Sequence, residues 1–327
     1  MERAILSLLL LLSHVASAQP TPRPPQTLDG KPVFTFRSGF WVNMHHFLYV
    51  LGRAKNRTPD SQRPAVIKAS ADIEGMDRLT EQEHKAWDDA IAYYQGTLSK
   101  RDAVFDRDLI AITSALAAAG DSPSLADANV PAAVRSTLER AAPVYRKVWW
   151  ERHSRADRAR IDDLQMLLAR YGRPISDRLT HIYQQKWPAE GLTVQVAAYV
   201  TWAGAYSTAG GLIVTSSMDG ATSGSEGLET VFHEAMHQWD DAMIPLLNDT
   251  ALRAHAKIPR HLFHSLIFYT AGYVVAEVVP GHRPYAEPLW AQGALPGRQQ
   301  LDAYWLPYLR GEGTLQSAVD KLVAAFQ

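Results

Sequence analysis

The apolar positions along this chain follow helical spacing through most of its length. From Ser38 they fall at Phe40, Trp41, Met44, Phe47, Leu48 and Leu51, and Gly52 is a plausible stop. Residues 55–64, with Pro59 and Pro64, read as a loop. Thr80 with Glu83 three residues on has the spacing of a capping box, opening a helix that runs to about Tyr94. An alanine-rich helix is expected over 101–119, a loop from Gly120 to Pro131, and helices over 131–152 and 155–171. Gly172-Arg173-Pro174 reads as a break before a short helix at 175–186. The character then changes. Leu192 to Tyr199 alternates and is rich in β-branched residues, and Gly211 to Ser216 is a second short apolar run, so a small sheet is expected here. Helices follow over 226–247, from Pro259 to Val279 (ended by Pro280-Gly281), and from Glu312 to Phe326. The fold class is therefore α+β and mainly α-helical, with a helical N-terminal half and a small sheet ahead of the 226–247 helix.

The first residues depart from this pattern. Arg3, the apolar run Ala4 to Leu12, and Ala16-Ser17-Ala18 have the order of an export signal, which makes Gln19 the expected mature N-terminus. Pro20, Pro22, Pro24 and Pro25 follow in a segment read as an extended linker over 19–37. The rest divides into a helical region, 38–190, and a site-bearing region, 191–327, or forms one continuous domain over 38–327. No later stretch is apolar enough to span a bilayer, so after signal cleavage a secreted or periplasmic protein without stable membrane insertion is expected. The net charge of −1 gives no reason to expect a nucleic-acid partner. With no cysteine, thiolate metal sites and cysteine nucleophiles are excluded.

Candidate chemistry is concentrated at His233-Glu234-Ala235-Met236-His237. Histidines four apart on a helix lie about 40° apart around its axis, so both rings project to one side and can take two corners of a zinc tetrahedron. Glu234 can then reach a water at the open position and act as general base. With 12 histidines in the chain, the pattern is expected by chance only about 0.02 times.

The motif resembles that of the zincin metallopeptidases, and its setting is similar too. The resemblance implies a zinc-dependent hydrolase with a peptide or protein substrate, and an edge strand just before the motif helix on which an extended substrate pairs. Gly211 to Thr215, about twenty residues upstream, is the candidate edge; an ordinary core strand is the alternative. The metzincin pattern needs a glycine and a third histidine where this chain has Asp240 and Met243, so that branch is excluded. The gluzincin branch takes a glutamate from the next helix; here that helix offers two candidates, His264 and Glu277, of which Glu277 would make a regular gluzincin. They lie about 220° apart around a helix and should not share an ion. His264 is the favoured ligand and Glu277 the next, with His255, His261 or a residue of the N-terminal half behind them.

Asp240 is placed to hydrogen-bond a ligand imidazole. Tyr206 and Tyr269 are candidate oxyanion donors or core residues. His45-His46 and Asn43 either line the cleft or bond to backbone, and Trp87, Trp149 and Trp150 read as packing residues. A zinc hydrolase of a cell-wall amide, a metal-binding protein without turnover and a helical binding module remain open alternatives.

Overall fold

The computed structural model describes residues 34–56, 70–208 and 210–327. The expected export segment, most of the proline-rich segment and most of the 55–64 loop lie outside them. Phe34–Arg37, the end of the expected linker, is a sheet strand, β1. Helices α1 (Phe40–Asn56), α2 (Ser70–Met76), α3 (Glu81–Gly96) and α4 (Arg107–Ala119) follow. The capping box at the start of α3 is formed: Glu83 N donates to Thr80 Oγ1 at 3.3 Å, and Thr80 N donates to Glu83 Oε2 at 2.9 Å. Helix α4 starts later than expected, because the Asp106 carboxylate accepts from the amides of Asp108 and Leu109 and caps it there.

Helices α5 (Ala132–Tyr145), α6 (Glu151–Leu167) and α7 (Arg173–Tyr183) form one continuous helical run. The breaks expected near 153 and at Gly172-Arg173-Pro174 are not there. Two π-turns, Arg146–Trp150 and Leu168–Gly172, join the segments instead. Pro174 lacks an N–H and would crowd the preceding turn of a regular helix, and the wider π-turn just before it accommodates the ring without ending the helix.

The sheet has four strands: β1, β2 (Leu192–Ala197), β3 (Ala205–Ser207) and β4 (Leu212–Ser216), in the order β1-β2-β4-β3. β1, β2 and β4 run parallel, and β3 pairs antiparallel to β4. The expected edge strand, Gly211 to Thr215, is therefore not an edge, because β4 is paired on both sides. The edges are β1 and β3, and β3, three residues long, is the one beside β4.

The sheet separates two cores. Leu212, Val214 and Tyr206 pack with α1, α3 and α5. Val194, Val196 and Ile213 pack against Leu228, Val231, Phe232 and Ala235. These belong to α8 (Gly224–Met236), which carries the histidine motif and has its apolar residues on the side toward the sheet. The expected single helix over 226–247 is two. A 3₁₀ turn, His237–Trp239, ends α8 and leads into α9 (Asp240–Arg253). Helix α10 (Leu262–Val278) packs across α8, and the chain ends in the helix Leu315–Ala324.

Arg160 on α6 fixes the entry to α8. Its guanidinium is buried and donates to the carbonyls of Ser216, Ser217 and Asp219 at 3.2, 3.2 and 3.4 Å, and to that of Thr222. The loop thus held meets the first turn of α8 at Gly227, where a Cβ would lie 2.4 Å from Thr222 O. Only glycine allows that approach without a shift of backbone.

Candidate metal centre

His233 and His237, one turn apart at the end of α8, converge on His264 in the first turn of α10. One ring nitrogen from each lies within 4.8 Å of the other two. His233 Nε2 and His264 Nε2 are 3.2 Å apart, close to the separation of about 3.3 Å between two nitrogens on a tetrahedral zinc. Phe268, one turn along α10 from His264, stacks on the His233 ring at 3.9 Å and fixes its plane. His237 Nδ1 lies 3.1 Å from both carboxylate oxygens of Asp240, which leaves Nε2 for the cluster. A carboxylate behind a ligand imidazole sets its tautomer and raises its basicity.

Electrostatics suit a cation. Burial, reinforced by His264 and His237, pushes the His233 pKa well below the usual histidine value. Burial, with His237 and His261, takes His264 down to about 3. Both rings are neutral at physiological pH and have lone pairs to offer. For His237 burial acts against the charged form, but the hydrogen bond it donates to Asp240 and the charge of Glu234 outweigh it and raise the pKa. The donor set therefore fits a borderline divalent cation such as zinc.

Glu234 and His233 line one pocket together with Ala203, Ala205, Glu229, Thr230, Phe268 and Tyr285. Burial raises the Glu234 pKa, opposed by the His237 charge and a hydrogen bond from Ser207 of β3. The edge strand therefore touches the candidate base directly.

The other candidates lie apart from the cluster. Glu277 is 38% exposed and pairs with Arg178 at 3.4 Å, toward the far end of α10. His255 and His261 are exposed. Tyr269 donates to Asp302 at 2.6 Å. Tyr206 is buried in the other core between His46 (3.1 Å) and Thr113 (3.1 Å). His45 and His46 are fully buried, bonded to Tyr94 and to Val42 O. Asn43 accepts from Ala198 N at 2.8 Å and ties α1 to the end of β2. Trp87 and Trp149 stack in the same core at 4.6 Å.

No family model, curated protein or solved structure matches this chain.

Two pocket residues were not singled out from sequence. Tyr285 follows the Pro280-Gly281 helix stop, in a segment with no periodicity to mark it. Its ring stacks on Phe268 at 6.0 Å and 10°. Burial raises its pKa, with the charges of Asp219, Glu229 and Glu234 adding to the effect. Glu229 lies four residues before His233, one helical turn earlier on the same face, and that spacing was a readable signal.

Proposed function

We propose that this chain is an exported zinc-dependent metallopeptidase. Among the described residues no helix is long and apolar enough to cross a membrane. The export assignment rests on the composition of residues 1–18. The observation that carries the enzymatic reading is the cluster of three imidazoles, one of which, His233, lines a pocket together with Glu234.

His233, His237 and His264 would hold the ion. When bound, zinc supplies Lewis-acid polarisation of a scissile carbonyl and acidifies a water. The remaining work falls to the chain. Glu234 takes up the proton of the attacking water and delivers it to the leaving amine. Its raised pKa brings it closer to the neutral pH at which a general base works best. The Tyr285 hydroxyl, in the same pocket, donates to the oxyanion, a role that Tyr269 and Tyr206 cannot fill from where they lie. The free side of β3 offers main-chain N–H and C=O groups to an extended peptide.

Glu234→Gln tests this reading. The variant keeps the shape of the side chain and its distance from the histidines. It should bind one equivalent of zinc by elemental analysis and hydrolyse a peptide library at least about 10²-fold more slowly than the parent. Cleavage at the parental rate removes Glu234 as the base.

A further inference from the structure

Glu229 is 1% exposed and lines the pocket beside His233 and Glu234. All of its hydrogen bonds fall on one oxygen. Oε2 accepts from His282 Nε2 at 2.6 Å and from Tyr285 N at 2.9 Å, while His282 Nδ1 lies 2.9 Å from Ser225 Oγ. Oε1 is buried with no partner among the described residues. A buried carboxylate oxygen left without a donor is costly and rare in folded proteins.

The surroundings of this oxygen favour a positively charged visitor. The pocket is lined by two carboxylates, one imidazole and the aromatic pair Phe268 and Tyr285, with neither lysine nor arginine among the lining residues. Aromatic faces next to a buried carboxylate are the recurring surroundings of bound ammonium groups. The cavity volume is about 20 Å³, room for roughly one water-sized group. It suits a terminal nitrogen of a substrate and nothing bulkier.

We propose that this pocket contains a subsite for a cationic nitrogen group of the substrate, an ammonium or guanidinium, with Glu229 as counter-charge and Phe268 and Tyr285 as walls. Glu229 and His233 are four residues apart, about 6 Å along the helix axis. The recognised nitrogen therefore belongs to the residue at the scissile carbonyl or to its neighbour. The subsite rests on the hydrolytic reading for its role in substrate choice, but its affinity for a cation does not depend on turnover.

The test uses the zinc-loaded full chain and three peptide pools. The first has free amino termini with lysine and arginine. The second is N-acetylated. The third is N-acetylated, with norleucine for lysine and citrulline for arginine. Cleavage of the first or second pool should exceed that of the third at least tenfold. A preference for the first over the second assigns the α-ammonium, and equal cleavage of the two assigns the side chain. Equal cleavage of all three overturns the subsite while leaving the hydrolase intact. If no pool is cleaved, the hydrolytic reading fails and the subsite is judged by calorimetry of the metal-free full chain with n-butylammonium and n-butanol. Saturable binding of the amine alone, at least tenfold weaker in Glu229→Gln, supports it, and equal responses to amine and alcohol overturn it. Neither comparison on the parent protein depends on the folding of the variant.

Discussion

Removing the Asp240 carboxylate is the most direct probe of the proposed metal centre that leaves every imidazole in place. Asp240 lies 3.1 Å from His237 Nδ1 through both oxygens. Loss of such a partner typically weakens metal binding 10–100-fold, about 1.4–2.7 kcal/mol. The Asp240 side chain is 35% exposed, so solvent already screens part of its charge, and the expected loss for Asp240→Ala is about tenfold. Asp240→Asn keeps an acceptor and should lose less. The pH dependence gives a second, independent sign. The same carboxylate that strengthens His237 as a ligand also strengthens its hold on a proton, hence its raised pKa. Zinc must displace that proton at low pH, and more so in the parent than in the variant. The parent's advantage should therefore be largest near pH 8 and shrink toward pH 6. Competition against a chromophoric chelator at the two pH values measures it, with circular dichroism as a control, because Asp240 also begins α9. Equal affinities at pH 8, or a gap that widens on acidification, would refute the reasoning.

Three further outcomes follow from the structure. His264→Ala should lose zinc at equilibrium dialysis and Glu277→Ala should retain it; the reverse result would move the third ligand to Glu277. Arg160→Met removes a donor from the carbonyls of Ser216, Ser217, Asp219 and Thr222, of which Ser216 and Asp219 keep Thr222 as a partner, and should cost about 3 kcal/mol or more in urea unfolding, with zinc binding lost before the fold; a change under 1 kcal/mol would show that the loop holds itself. Asp157 is fully buried between Ser38 and Ser217, and burial takes its carboxyl from 3.8 to about 7 against those hydrogen bonds. A group whose folded pKa is raised contributes stability that is complete below about 4 and disappears as pH rises through 7, a span of up to about 4 kcal/mol. His46, buried and lowered to about 4, acts in the opposite sense. The informative quantity is therefore the stability of the parent minus that of Asp157→Asn, which should fall between pH 4 and 7; a pH-independent difference would be the contrary result.

What could be read from the sequence depended on how local each signal was. The capping box at Thr80 and Glu83 and the shared side of His233 and His237 rest on spacing within about one turn, and both are found in the structure, where His264 of the next helix joins the two histidines. The edge strand was misassigned because an apolar run such as Leu212 to Thr215 reads the same whether one or two neighbours pair with it. The edge strand next to it, Ala205–Ser207, is too short to show any alternation. The break at Gly172-Arg173-Pro174 follows the usual effect of proline, but one π-turn cancels that effect, and the composition does not announce it. The sequence pattern carries the motif helix on to Leu247, because Asp240 to Leu247 continues a helical pattern across the 3₁₀ turn at His237. Tyr285 reaches the pocket from a segment between helices, so only the tertiary fold could reveal it.

The unbroken run from Ala132 to Tyr183 sets how the molecule can open. Its first half is anchored in one core through Val134, Leu138, Tyr145 and Trp149, and its second half in the other through Leu164, Leu168, Ile175 and Leu179. A rod shared by both cores offers no hinge between them, so clamshell breathing of the two halves is not available to admit a substrate. Access to the histidines must instead come from small local excursions at the rim, where the stretch carrying His282 and Tyr285 is tied down through Glu229, Ser225 and the Phe268 ring.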